Sequence, residues 1–571
     1  MVSTRALSCL TVATVLSTLC FRLGYLPLLA PDEGRNAEVA REMKESGAWL
    51  VPTYNGATYL DKPAFFFKAV AFSLAVFGNT EAAARLPSAA AAVALTLLVF
   101  AFCRRIHGTR CGLLAVIVVA TTPLFVTQAR MVIFDMTLAL FVCGAIFAGY
   151  LAELSEATVR RNWYLVGAVC AGLATLVKGP VGFVIPMLVL LVFNRLDGRA
   201  GAWKRLLSPL NLLVFLGVTL PWFVALCLRR PDFLHYGLVQ ESFKRFTSSK
   251  GFHRSEPFFF YLPIIAMMFV PWSFLLPEAI WATWKEKWLK HSADRLCVVW
   301  AVVVVVFFSI SQSKLPGYIL TVTVACGILV AQVFDSALAA PEGRAARLVR
   351  RAAAAGALLS VILVLIAALV GASQTPMVAK LLRMSVDEAA GIYGASIPVM
   401  VMIMAFAGFG AFAFYRRSVS LCFLCMMLFP QVFGHALFPV FSTIFEANSA
   451  RRLARNCALL PPTLDLACLE CFPNGLPFYL GRTPFLVSRD CAELTSNYVL
   501  YSIRTTGKWP EKAVPFSDLN RWLKSRPGPV CLIAPAARRW ELAPIAKAAG
   551  AQIETLTSDY LAVELYPREG R

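Results

Sequence analysis

Apolar residues in this chain come in runs of about twenty, the length an α-helix needs to cross about 30 Å of hydrocarbon. Thirteen such runs stand out, at residues 6–29, 81–103, 111–129, 136–153, 161–178, 179–194, 209–228, 258–279, 296–312, 315–336, 351–373, 395–415 and 419–442. Around Lys178 and Pro316 one run follows another after a tight turn. The first run is interrupted by Arg22, lacks a small-residue cleavage site and leads into a polar loop. It therefore reads as a retained helix and not as a cleaved leader.

The connections between runs alternate in charge. Arg104, Arg105 and Arg110 share one side with Arg160 and Arg161, and with Arg195, Arg199, Lys204 and Arg205. Lys285, Lys287, Lys290 and Arg295 follow on that side, then Arg344, Arg347, Arg350 and Arg351, then Arg416 and Arg417. Loops enriched in Lys and Arg stay cytoplasmic, which puts the N-terminus inside and the C-terminus outside. Counting residues 63–80 (PAFFFKAVAFSLAVFGNT) as a span would invert every later loop. That stretch is short and carries Lys68, so it reads as an amphipathic helix at the outer interface. Residues 31–80 then form one external unit within a transmembrane domain of residues 1–442.

From residue 443 to 571 the pattern changes. LDLACLECFP, NYVLYSI, VCLIAPA and YLAVELYP look like strands, and SDLNRWLKSR and APIAKAAGA like helices. This alternation predicts a small α/β domain on the outer face. It has no glycine-rich phosphate loop and no nucleophile elbow. The fold class is thus an all-α polytopic membrane protein of about thirteen spans with a C-terminal α/β domain.

Composition agrees. Of 571 residues, 58% are hydrophobic and 15% charged, and the mean hydropathy is +0.67. Soluble globular proteins carry about 25% charged residues. The net charge of +21 suits a positive-inside protein among anionic lipids better than a nucleic-acid binder, for which no basic soluble domain is evident. Eleven of sixteen cysteines precede Pro430, mostly in apolar runs where Cys acts as a small hydrophobe. In the tail, Cys468 and Cys471 have the spacing of a local disulfide in an oxidising compartment, but nothing completes a metal site.

Ionisable residues gathered at one membrane face point to a site. Asp32 follows Pro31 and is placed to cap a helix from about Glu33 to Ser46, leaving Glu33 and Arg41 as solvated helix residues. Arg130 and Asp135 (ARMVIFDMT) lie at the outer end of a hairpin, and Lys178 (VKGPVGF) at another. Glu241, Arg245 and His253 fall between the seventh and eighth runs, and Lys314 and Tyr318 (SQSKLPGY) between the ninth and tenth. Each alone has a reading as a helix-end anchor or structural ion pair. Together they make a rim of cations and carboxylates suited to an anionic lipid headgroup.

The ordered set PDEGRNAEVAREM, WLVPTYNG, YLDKPAFFFKAVAFSLAVFG and EAAARLPSA resembles the first loop of the bacterial aminoarabinose transferases. That family lies among the protein mannosyltransferase-like GT-C glycosyltransferases. The resemblance continues through ARMVIFDMTLALF, LVKGPVGFVIP, ESFKRF, EPFFFYLP with PWSFLLP, SQSKLPGYILT and, in the tail, GLPFYLGR. It implies a GT-C fold, a periplasmic cavity in a bacterial inner membrane, and a sugar donor on undecaprenyl phosphate. In the best-known members the sugar is 4-amino-4-deoxy-L-arabinose and the acceptor lipid A, the modification behind polymyxin resistance.

The resemblance also implies roles. Lys62, Arg245 and Tyr318 match positions that contact donor phosphate, with Lys178 a further member. Asp32 and Asp135 match acidic positions of the catalytic machinery, and Glu33, Glu241 and Lys314 complete the rim. Asp32 would be general base for a hydroxyl acceptor; a phosphate acceptor is already anionic, and Asp32 would then orient an acceptor or the sugar amine. No cofactor is required for inverting displacement. Some relatives hold a divalent ion near the acidic residue that precedes the Lys-Pro pair, here Asp61, which makes Asp61, with His253, candidate ligands for Zn or Mg. Gly34 and Asn36 depart from the larger residue and the Tyr usual there. The competing expectations are a related GT-C enzyme with another sugar and a protein or glycan hydroxyl acceptor and, more remotely, a transporter. A transporter would show two similar halves and midplane charges, and neither is present.

Overall fold

The computed structural model describes residues 3–237, 256–287, 291–373, 377, 386–461 and 463–566. Each of the thirteen predicted apolar runs contains helix, although the first stops at Cys20 and its residues 21–29 are turn and irregular chain. Eight of these helices are long and apolar enough to cross a membrane, and two bent pairs bring the number to ten. The chain is a multi-pass membrane protein, but thirteen independent spans are not reached among the described residues. Thr4–Cys20 and Val181–Leu196 are apolar but short. Ala157–Lys178 is 22 residues long and opens on the polar Arg160, Arg161 and Asn162.

The bends have local causes. Thr109–Ala120 and Pro123–Ala129 meet at 71°. At that joint the Thr121 and Thr122 hydroxyls donate back to the carbonyls of Ile117 (2.7 Å) and Val118 (2.9 Å), and Pro123 opens the next helix without an N–H to give. The 108° bend between Phe258–Met268 and Trp272–Lys285 falls at Pro271.

The chain divides into two compact units. The first comprises residues 1–23, 88–221 and 243–443 and is a helical bundle. Pro316–Ala339 runs through its centre and is almost entirely buried. It is apolar round most of its length, with Gln332 and Asp335 confined to its last turns. Phe102 and Phe147 stack at 4.1 Å, and Trp272 donates its indole N–H to Thr121 at 3.0 Å. Some cations of the basic connections are paired locally, Arg110 with Asp335 (2.5 Å) and Arg199 with Asp197 (2.6 Å).

The second unit comprises residues 24–87, 222–242 and 444–571. Its first loop forms the helix Asp32–Ser46, a hairpin of Thr53–Tyr54 with Ala57–Thr58, and the helix Phe65–Phe77. Asn55 and Gly56 turn the hairpin, both at positive φ (51° and 73°), as an Asn-Gly turn requires. Phe65–Phe77 buries Phe66, Phe67, Val70 and Leu74, yet its outer face shows Phe72, Val76 and Phe77. The amphipathic expectation is therefore corrected: both faces are apolar, which suits a helix whose outer side meets lipid.

Residues beyond 464 build a six-stranded sheet in the order Ala513–Pro515, Phe485–Ser488, Asp465–Leu469, Val530–Pro535, Tyr560–Leu565, Ile553–Thr555. The first four strands run parallel, and Tyr560–Leu565 is antiparallel to both neighbours. NYVLYSI is not a strand: Asn497–Thr506 is a helix, started by Ser496 accepting from the Val499 N–H and burying Tyr498 and Val499 on one face. All sixteen cysteines are free, Cys468 and Cys471 among them.

Two expectations for the first loop are overturned by burial. Glu33 is fully buried and holds Arg85 in a two-bond fork, both bonds at 2.8 Å, while Arg85 also donates to the carbonyls of Leu26 and Pro27. Arg41 is also buried and is bound by Glu38 at 2.6 Å and 2.7 Å. Neither is a solvated helix residue, and Glu33 is not a rim group. Arg85→Ala leaves the Glu33 charge buried and unpaired, and should cost about 3–5 kcal/mol, read as a large fall in thermal stability in detergent. Burial also pushes the Cys491 and Cys531 thiols up to about 12 and Cys457 to about 11. Because the thiolate is the reactive form, a maleimide near neutral pH should leave these three unlabelled until denaturant is added.

Candidate active site

Within the helical unit, three motifs of distant sequence meet. Asp135 is the first residue of the helix Asp135–Glu153, and Lys178 the last of Ala157–Lys178. Each end suits its charge, since a helix N-terminus favours an anion and a C-terminus a cation. The Lys178 ammonium lies 2.6 Å from the Asp135 carboxylate, both side chains largely buried. It also stands 4.7 Å from the centre of the Tyr318 ring, a cation–π distance.

Local sequence makes this possible. Gly179 at φ +78° stops the Lys178 helix, and Pro180 precedes the first residue of the next. Gly182 then lets the two helices close: a Cβ there would sit 2.3 Å from the Ala174 carbonyl carbon. Tyr318 lies on the 3₁₀ turn Pro316–Ile319. Gly317 in that turn comes so near that a Cβ would be 3.3 Å from the Asp135 carboxyl carbon and 3.1 Å from Gln128 Oε1. Gln128 carries no signal in the sequence, where it is one amide within an apolar run. Lys314 is buried and donates to the Glu256 carbonyl at 2.9 Å, as a helix-end anchor would.

In the second unit, Asp32 does not cap its helix. Pro31 holds the cap position and Asp32 is the first helical residue, ion-paired with Arg35. Asp32 remains 46% exposed and so is open to a ligand, while Arg35 is largely buried. Arg35 also donates to Thr495, by hydroxyl (2.9 Å) and carbonyl (3.1 Å). Sequence reasoning misses Arg35, although its i,i+3 spacing from Asp32 is a usable signal. The Gly34 departure has a packing cause: a Cβ there would lie 2.5 Å from the Asn474 carbonyl oxygen.

Lys62 donates to the carbonyl of Asp61 at 2.7 Å. The Asp61 carboxylate accepts from the Tyr236 hydroxyl (2.6 Å) and from the backbone N–H groups of Tyr498 (2.7 Å) and Asn497 (3.0 Å). Among the described residues no three His, Cys, Asp or Glu side chains are grouped to hold a metal ion. Arg245, Glu241 and His253 lie outside the described residues.

Comparison with known proteins bears on this arrangement. The family described as dolichyl-phosphate-mannose-protein mannosyltransferase matches residues 61–224. The undecaprenyl phosphate-alpha-4-amino-4-deoxy-L-arabinose arabinosyl transferase of Edwardsiella ictaluri is 31% identical over 325 residues, 56% of this chain and 58% of the relative. A second such transferase from Pseudomonas fluorescens is 29% identical over 345 residues, 59% and 58% of the two chains. The matched region thus spans little more than half of these curated relatives. The crystal structure of ArnT from Cupriavidus metallidurans bound to undecaprenyl phosphate superposes with a TM-score of 0.82 at 26% identity, covering 98% of this chain and 97% of that one.

A helical membrane body with motif-borne charges at its helix ends, a short-helix first loop and a small α/β tail is the GT-C architecture, and the chain has that fold. Within that architecture it is similar to the undecaprenyl phosphate-aminoarabinose arabinosyl transferases.

The hairpin that presents Lys178 is sensitive to its glycine. Gly182→Ala should destabilise the protein by about 1–3 kcal/mol through overpacking against backbone. Gly217→Ala, where a Cβ meets nothing within 4 Å, should leave thermal unfolding in detergent unchanged or slightly raised.

Proposed function

We propose that the chain is an inner-membrane glycosyltransferase that moves 4-amino-4-deoxy-L-arabinose from undecaprenyl phosphate to lipid A, with its site and tail domain on the periplasmic side. The observation that carries the reading is the Asp135–Lys178–Tyr318 group, built from three motifs shared with the aminoarabinose transferases. The likeness to ArnT along nearly the whole chain supports it. The excess of Lys and Arg on one set of connections supports the orientation.

The chemistry follows from the leaving group. Displacement at the anomeric carbon releases a polyprenyl phosphate, so catalysis rests on cations and hydroxyls that stabilise charge growing on its oxygens. Lys62, Lys178, Arg245 and Tyr318 take that part. Lys supplies a point charge and Arg a planar fork. Asp135 holds the Lys178 ammonium in place and lowers the cost of keeping it charged away from water. A lipid A phosphate is already a nucleophilic oxyanion near neutral pH, so no general base is needed. Asp32, exposed beside Arg35, then orients the acceptor or the sugar amine. With a hydroxyl acceptor the same carboxylate would act as base, which is the one specific feature favouring the second reading.

The test is made in a host lacking its own aminoarabinose transferase. Wild-type protein should add aminoarabinose to lipid A, read by mass spectrometry, and restore growth in polymyxin. At matched membrane levels, Lys178→Met and Asp32→Ala should each lower that modification by about a hundredfold or more, the scale of losing one transition-state stabiliser. Unmodified lipid A despite good wild-type expression would contradict the assignment.

A further inference from the structure

We infer that Asp61 is a clamp joining the first loop to the tail helix Asn497–Thr506, and a positioning residue for Lys62, not a metal ligand. The divalent ion that the family resemblance suggests for this position does not fit the donors around it. One carboxylate oxygen takes the Tyr236 hydroxyl at 2.6 Å and the Tyr498 N–H at 2.7 Å, and the other takes the Asn497 N–H at 3.0 Å. A cation placed against these oxygens would face the hydrogens of two amides and a phenol. Asp61 is 7% exposed, between Tyr236 and Tyr498, each 1% exposed.

The donors also account for each other. An α-helix begins with four N–H groups that lack an intrahelical acceptor. Here Asn497 and Tyr498 give theirs to Asp61 and Val499 gives to the Ser496 hydroxyl at 3.3 Å, after which Leu500 makes the first intrahelical bond, to the Ser496 carbonyl at 3.3 Å. The carboxylate therefore serves as the anion of a helix N-terminus, with its charge set on the positive end of the dipole. The shorter Asp suits this seat, because one more methylene would push a buried carboxylate into the helix end or the tyrosines.

The joint is reinforced around it. Tyr236 packs edge-on to Tyr498 with centroids 5.0 Å apart, and Leu60, Leu226 and Phe233 close the same apolar cluster. The Tyr498 hydroxyl bonds Asp232 and receives Arg230, which also donates to the Thr58 hydroxyl at 2.9 Å. Lys62 follows directly, its ammonium folded onto the Asp61 carbonyl. The tail helix thereby fixes the backbone from which Lys62 projects. The clamp stands on this geometry alone; its effect on donor use rests on the proposed phosphate role of Lys62.

Hydrogen exchange of the full-length protein in detergent tests the clamp without turnover. In Asp61→Ala, the amides of Asn497 and Tyr498 should exchange about tenfold faster or more, while the strand Val530–Pro535 keeps its protection. Asp61→Glu should show the same loss, whereas a metal ligand would tolerate Glu. Unchanged protection in Asp61→Ala overturns the clamp. So does one equivalent of zinc, measured after incubation with zinc chloride and desalting, that wild type holds and Asp61→Ala does not. In the transfer assay, Asp61→Ala should raise KM for the lipid-linked donor about tenfold while KM for the acceptor stays within about twofold. Equal change in both would mark a structural role only and overturn the positioning of Lys62. If wild type transfers no sugar, the functional reading fails, and the exchange result still decides the clamp.

Discussion

An ionised group held away from water must be given a partner, and that constraint organises this protein. In the helical unit it pairs Lys178 with Asp135, which lie far apart in sequence and at opposite kinds of helix terminus. In the loop-and-tail unit it locks Glu33 to Arg85, Arg41 to Glu38, and Asp61 to the head of a helix. Removing one member of such a pair strands the other, which is costlier than losing the pair together. Membrane proteins tolerate these groups where they serve a purpose.

Glycine and proline determine how closely these charges approach. The run Lys178-Gly179-Pro180-Val181-Gly182 ends one helix and starts the next in contact with it. Gly317 does the same for the turn that carries Tyr318, and Gly34 for the helix that carries Asp32. The departure from the family pattern at Gly34 thus follows from the tail turn at Asn474 and Gly475. The tail bears on the position of the first-loop residues.

The membrane architecture is legible in the sequence because an apolar run of about twenty residues matches the length of a membrane-crossing helix, and each run contains helix, the first only as far as Cys20. What the runs do not reveal is where a helix breaks: the bends at Thr121 to Pro123 and at Pro271 depend on hydroxyl and proline chemistry inside continuous hydrophobicity. The tail is α/β as its alternation predicts, with NYVLYSI the exception. Its β-branched and aromatic residues suggest a strand, whereas Ser496 and the distant Asp61 satisfy a helix start instead. Asp32, Asp135, Lys178 and Tyr318 can be named from motifs. The buried roles of Glu33 and Arg41 cannot, because solvated and buried charges look alike until packing is known. Tyr236 gives too little signal for the same reason, and Arg35 gives only its spacing from Asp32.

The most direct measurement is transfer by the purified full-length protein, using undecaprenyl phosphate-linked 4-amino-4-deoxy-L-arabinose and isolated lipid A in detergent. The account predicts that lipid A gains the aminosugar on a phosphate while undecaprenyl phosphate is released in equal amount. Release of undecaprenyl phosphate with the sugar passed only to a hydroxyl acceptor, or no release at all from well-folded protein, would contradict it.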